Sequence, residues 1–417
     1  MNAERLPTQG DQSVQEAQAT QGTLLTPLVH RRLLVMAVGG LLVLVLGWPF
    51  SPLRVWSNLL VVSFYLVTLA LGGAVFLALT YVAGAGWHVA IRRIPEAMAA
   101  LLPKTGLAIL AVLALHMHAY GWQLHPGAPA GTDAGTYWFK QLWLNPPFWL
   151  ARAAIYVLLW SVLAAGLVGL SRRQDRLEWQ DRTGAMHVMQ WSVRLSALFL
   201  VVYTITFSLA SVDWIMALEP MWFSTMWGVY QFAGMIQATM AAVIVVGLLL
   251  RRPGMPLHGI FRAEHLHDLG QLLLGFSCFW MYIWFSQYML IWYSNLPEET
   301  SYFIARMHGP WGPVVVASIL LNWIIPFFVL LPKPCKRSGP VMMKVAVVVL
   351  IGRWVDLTVM IFPPTVGALP VLGILEIAGA CCMTGTFGLL CFHALTKAAP
   401  VPTNDPYYGE SLTYHCT

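Results

Sequence analysis

Ten stretches of this chain are each long and apolar enough to cross about 30 Å of hydrocarbon as a helix. They are residues 33–50, 59–82, 105–122, 148–170, 188–212, 222–250, 268–293, 313–331, 341–362 and 369–395. This feature dominates the fold, because a backbone in lipid has to satisfy its own N–H and C=O groups. A helix does so within one segment. A β-barrel would read as short alternating segments, and the sequence has none. Charge content agrees: Asp, Glu, Lys and Arg make up 10% of 417 residues, against roughly a quarter in soluble domains. The expected class is an all-α polytopic membrane protein. That excludes cytosolic enzymes, nucleic-acid readers and disulfide-stapled secreted domains.

Cations fix the expected orientation. With both termini and the loops after even-numbered spans on one side, that side holds nineteen Lys and Arg. The opposite side holds Arg54, Lys140, Arg152 and Arg306, while Arg353 falls inside a span. Both termini are therefore expected in the cytoplasm. Residues 1–32 are polar and Gln-rich and read as a disordered tail. Residues 33–396 form the transmembrane domain, and 397–417 a second cytoplasmic tail. The first span follows Arg31-Arg32 but precedes Trp-Pro-Phe-Ser-Pro, so it reads as a retained anchor, not a cleaved signal.

Redox motifs are missing. The six cysteines form no C-x-x-C, which argues against an iron–sulfur cluster or attached haem. There is no HExxH and no Walker loop. A membrane haem needs histidines that face each other. His116 and His118, two residues apart on a helix, point about 200° apart.

Ionisable groups inside a membrane are costly, so each is a functional candidate. An outer layer comprises Arg353 and Asp356, one helical turn apart, with Glu376 on the next span at similar depth. One arginine with two carboxylates leaves one carboxylate expected to hold or exchange a proton. The plainer reading is that Arg353–Asp356 locks two helices together. His116 and His118 reach a comparable depth, and either can be an ordinary hydrogen-bonded histidine. The inner layer is Glu264-His265-Leu-His267-Asp268, a proton-collecting mouth or simply a helix cap. From Asp268 a stripe runs up one helix face through Gln271, Gly275, Cys278, Tyr282, Ser286, Met289 and Tyr293. It suits a hydrated path towards the outer layer, or helix packing. Eleven of nineteen tryptophans fall at outer helix ends. They suit an interfacial belt, a docking face, or an aromatic entry for a quinone-like ring.

Two runs, Asp213-Trp-Ile-Met-Ala-Leu-Glu219-Pro-Met-Trp-Phe-Ser-Thr-Met-Trp-Gly228 and His265 through Gln287-Tyr288-Met-Leu-Ile-Trp-Tyr-Ser-Asn-Leu-Pro-Glu-Glu299, carry a resemblance. So do Arg92-Arg93-Ile-Pro-Glu96 and the Arg353/Asp356 pair. Over nearly the whole chain the sequence resembles the NrfD-like membrane subunits of bacterial alternative complex III, and is most similar to the second, ActF-type, subunit. The resemblance implies ten helices holding two four-helix bundles, helices 2–5 (about 57–212) and 6–9 (about 222–362), flanked by helices 1 and 10. It implies a subunit without redox centres of its own, in a complex that oxidises menaquinol or another quinol. Haem c and iron–sulfur clusters would belong to partners: a multihaem cytochrome c, an iron–sulfur protein and a second NrfD-like subunit. It also implies proton conduction, for which the candidates are the two layers together with Asp213. Tyr288, Trp292 and Tyr293 are the candidates for quinone contact. A structural membrane anchor and a proton-coupled secondary transporter remain as alternatives, although no broken helix pair marks a transporter site.

Overall fold

The computed structural model describes residues 24–117, 120, 142–177, 181–219, 222–367 and 369–414. The expected N-terminal tail, His118 and most of the loop after the third span lie outside the described residues. No strand occurs among those described, and ten helices are long and apolar enough to span a membrane. They are α1 Pro27–Gly47, α2 Pro52–Val82, α3 Arg93–Leu115, α4 Pro146–Asp175, α5 Arg182–Trp214, α6 Trp227–Leu250, α7 Ala263–Ser294, α9 Gly312–Leu330, α10 Gly339–Thr365 and α11 Ile374–Leu395. Between α7 and α9 lies the short helix α8, Pro297–Met307.

Local chemistry sets many of these ends. Proline occupies the first turn of α1, α2, α4, α8, α9 and α10, where its missing N–H has no helical partner to lose. Asp181 caps α5 by accepting from the Gly184 N–H at 2.8 Å. Asn295 ends α7 in the left-handed region at φ 49°, turning the chain into α8.

The helices meet in a fixed order. α2 contacts α3, α3 contacts α4, α4 contacts α5, and α5 returns to α2. In the second half α6 contacts α7, α7 meets the middle and C-terminal part of α9, α9 contacts α10, and α10 returns to α6. α2 also packs on α6 and α10, and is buried over nearly its whole length. α1 lies outside, largely exposed, against α11. Glycines permit that crossing: a Cβ on Gly40 would meet the backbone of Cys382 at 2.8 Å, and one on Gly385 the backbone of Leu33 at 2.6 Å.

Several expected spans shift at one end, the second starting at Pro52 and not at 59 and the first at Pro27 and not at 33, but the third moves furthest. The third was placed at 105–122, but the helix runs Arg93–Leu115 and stops before His116. Its first turn holds Arg93 and Glu96, both buried. Hydropathy penalises charges one at a time and cannot see that these two neutralise each other. His116 therefore sits at a helix end between the rings of Trp48 and Trp56, at 6.1 and 6.0 Å, not within a span.

Candidate functional site

Two helices in the second half contain prolines whose missing N–H groups leave main-chain carbonyls without helical donors. Pro326 in α9 cannot bond the Asn322 carbonyl. A π-helical turn over Leu320–Ile324 results, and the Gln237 side chain of α6 donates to that carbonyl at 2.5 Å. Pro363 and Pro364 in α10 likewise release the carbonyls of Val359 and Met360. Arg306 of α8 donates to both, from Nε at 2.9 Å and Nη2 at 3.2 Å. The same guanidinium pairs with Glu219 and lies 3.6 Å from the Tyr302 ring centroid. Backbone defects in lipid thus bring polar side chains inward.

These side chains belong to an interior column. At its outer end Asp356 accepts from Arg353 Nη1 at 2.6 Å and from the Tyr230 hydroxyl. Arg353 Nη2 donates to the Gln231 carbonyl oxygen at 2.7 Å. The guanidinium reaches α6 because residue 234 is glycine: a Cβ there would lie 2.8 Å from Arg353 Cζ. A cavity of about 20 Å3, room for about one water, is lined by Asp356, Tyr230, Gln287, Ser318, Phe303 and Met307 among others. Deeper, Asn322 Nδ2 donates to the Ser318 carbonyl at 2.9 Å, and Gln237 Nε2 to the Ser277 hydroxyl at 3.0 Å. Gln287 Nε2, Asn322 Oδ1 and Gln237 Oε1 are buried with no hydrogen-bond partner among the described residues. Below Ser277 the column stops. The seven residues down to Gly270 span about 10 Å, and Leu273, Val345, Ala346 and Val349, buried at that level, are apolar.

The α7 stripe from Asp268 to Tyr293 does not line this interior. Gln271 and Gly275 are exposed, as are Tyr282 at 63% and Tyr293 at 84%. The inward face carries His265, Leu269, Leu273, Ser277, Trp280, Ile283 and Gln287 instead. Periodicity groups residues by face but does not say which face turns inward. Gln231, Gln237, Gln287 and Asn322, missed from sequence, carried a usable signal: uncharged amides within otherwise apolar spans, Asn322 four residues before the helix-breaking Pro326.

The outer layer also divides differently. Glu376 does not share Arg353. Arg54 grips it with two bonds, Nε to Oε1 at 2.8 Å and Nη2 to Oε2 at 2.5 Å. Asn58 Nδ2 at 3.0 Å and the Gly373 N–H at 2.8 Å complete its shell, so it also caps α11. Glu376 thus has a dedicated partner, and the expected deficit of positive charge does not arise. Asp213 accepts from Arg152 at 3.0 and 3.1 Å, from Trp143 Nε1 at 2.9 Å and from Tyr156 at 3.3 Å. Asp213, Asp356 and Glu376 each have their own arginine.

At the inner mouth, Glu264 pairs with Arg337 at 2.7 Å. His265 Nδ1 accepts from the Arg262 N–H, which leaves Nε2 to donate to the Ser411 carbonyl at 3.1 Å. His267 Nδ1 lies 3.4 Å from Asp268 Oδ1, while Asp268 Oδ2 is buried without a hydrogen bond among the described residues. A second inner cluster joins Arg92, Arg93, Glu96, Ser171 and Asp175. Arg93 bonds Glu96 at 2.6 Å and Asp175 at 2.5 Å, and Ser171 donates to Glu96. Beside it, burial and the Arg92 charge push the His88 imidazole down to about 3.

Tyr288, Trp292 and Tyr293 line a cleft of about 640 Å3 between the outer end of α7 and α8, together with Asn295, Thr300 and His308. Its floor includes Phe303 and Met307, which also line the cavity beside Asp356.

No family model matches this chain, and no curated protein matches it either.

Proposed function

We propose that this chain is an integral membrane subunit of a respiratory quinol:acceptor oxidoreductase of the alternative complex III type, lying in the bacterial cytoplasmic membrane with both termini on the inner side. In this reading it has no redox centre of its own. It conducts protons and supports quinol oxidation, while haem c and iron–sulfur clusters sit in partner subunits beside a second NrfD-like chain.

The observation that supports proton conduction is the buried polar column from the Asp356 cavity to Gln237 and Ser277. Structural packing of helices calls for satisfied polar groups, yet three amide atoms along this column have no hydrogen-bond partner among the described residues. Such atoms suit chains of water, through which protons hop between titratable groups. Asp356 and Tyr230 supply the titratable end, and Glu264, His267 and Asp268 face the opposite side. The apolar level between them separates two half-paths, so conduction requires that level to become hydrated during turnover. The cleft at Tyr288, Trp292 and Tyr293 suits a ring-bearing quinol: it opens at the outer helix ends and has aromatic walls. Phe303 and Met307 line both the cleft and the cavity beside Asp356.

The competing reading, a structural anchor, is favoured by the private arginine of each outer carboxylate. Asp356→Asn separates the two in the intact complex, reconstituted in vesicles and supplied with quinol. Loss of proton translocation with quinol oxidation retained supports conduction. Unchanged translocation assigns the column to packing. Copurification in mild detergent tests the complex itself, since multihaem and iron–sulfur partners should accompany the chain.

A further inference from the structure

After α11 the chain turns back across its own inner face. Residues 401–414 touch both halves of the molecule there, through polar bonds and through the buried side chains of Val401 and Tyr408, with Tyr407 and Leu412 packed beside them. Asp405, 4% exposed, forms an ion pair with Arg92, which is fully buried. Asn404 Nδ2 donates to the carbonyls of Asp175 at 3.1 Å and Leu177 at 2.7 Å, at the end of α4. The Ser411 hydroxyl donates to the Trp87 carbonyl at 2.9 Å and accepts from the Ala90 N–H at 3.0 Å. Its carbonyl accepts from His265 at the start of α7. One short segment therefore ties α4, the turn before α3 and α7 together.

We propose that residues 401–414 act as a detachable internal ligand, held by Arg92, the Trp87–Ala90 turn and His265, whose release opens the buried Arg92–Glu96 cluster to water. This does not depend on the reading of the column as a proton path.

Three observations make the segment releasable. Each polar bond above can be exchanged for one to water, and Val401 and Tyr408 are the segment's buried apolar anchors. A cavity of about 20 Å3 lies at its base, among Leu24, Ile94, Leu250, Leu395, Ala398 and Pro400, so the hinge is not tightly packed. The closed state is also opposed from within. Two guanidiniums, Arg92 and Arg93, face three carboxylates, Glu96, Asp175 and Asp405, so Glu96 repels the carboxylate that Arg92 attracts. Under the segment His88 Nε2, Arg92 Nη2 and both amide atoms of Gln174 are buried without hydrogen-bond partners among the described residues. Opening hydrates them, which lowers the net cost of release.

The chemistry of the cradle defines what it takes: a peptide that turns after its carboxylate for Arg92 and continues as a short helix, Tyr408–Thr413 here, with a hydroxyl six residues later for the Trp87–Ala90 turn. Within this chain Asp405 and Ser411 are those two groups.

Hydrogen exchange read by mass spectrometry tests the proposal in the purified full chain, in a chain ending at Lys397, and in Asp405→Asn. Removing the segment should speed exchange of the Trp87–Arg92 amides at least about tenfold, with helix amides at the far end of α5 unchanged. Asp405→Asn should give a smaller acceleration at the same amides. A synthetic peptide of residues 400–414, added to the shortened chain, should restore protection. Unchanged exchange in the shortened chain or in Asp405→Asn overturns the proposal, as does failure of the peptide to restore protection. Acceleration throughout all helices also overturns it, since the segment would then be part of the fold.

Discussion

Gln237 gives α9 the hydrogen bond that Pro326 denies it. The amide crosses from α6 to the Asn322 carbonyl at 2.5 Å, where the π-helical turn exposes that oxygen. A buried carbonyl without a donor costs about 1–3 kcal/mol. Gln237→Leu should therefore lower stability in detergent by that amount. Adding Pro326→Ala should recover much of the loss, because residue 326 regains an N–H. Thermal unfolding of the two single variants and the double variant measures the coupling. Additive losses would show that the two positions act independently.

Arg306 does for α10 what Gln237 does for α9, but with two carbonyls and a carboxylate at once. A lysine has one compact charge and cannot reproduce that fork. Arg306→Lys is expected to destabilise this half by about 3–5 kcal/mol, near the loss for Arg306→Met, in keeping with broken buried pairs. Limited proteolysis of the α7–α9 loop should quicken equally in both variants. A lysine variant as stable as the parent would contradict the carbonyl-capping role.

Glu376 should behave as a structural residue. Its carboxylate has two bonds from Arg54, one from Asn58 and one from the Gly373 N–H. Glu376→Gln keeps the shape and loses the charge, so it should lower the melting temperature while proton translocation by the assembled complex persists. Loss of translocation at unchanged stability would return Glu376 to the proton path.

His88 predicts an acid limb. It lies in the turn before α3, where burial and Arg92 hold it to about 3, against about 6.5 in an unfolded chain. Below about 6.5 the unfolded chain binds a proton that the folded one refuses, so stability rises with pH. The full contribution is present above that value and is lost as pH falls towards about 3, at up to about 1.4 kcal/mol per pH unit. Nδ1 donates to the Ala85 carbonyl at 2.7 Å, a bond an asparagine amide can mimic. His88→Asn should flatten the decline in melting temperature between about pH 6 and pH 4 by one proton. An unchanged slope would place the acid sensitivity elsewhere.

The sequence alone determined the class of this protein. Ten apolar stretches demand helices, because a backbone in lipid has to satisfy its own hydrogen bonds, and no tertiary contact is needed to read that. The positions of prolines and caps set most helix ends for similarly local reasons. The largest departure was α3, whose charged first turn is apolar only as a pair. The tertiary structure decided which charges meet and which face of α7 turns inward. Arg54 and Glu376 lie 322 residues apart, and Arg92 and Asp405 lie 313 apart. Nothing local distinguishes those partners from any other arginine or carboxylate. Helical periodicity collects residues onto a face, but the face itself is chosen by neighbours. In lipid, where apolar side chains are content on either side, polar groups with carbonyls to satisfy make that choice.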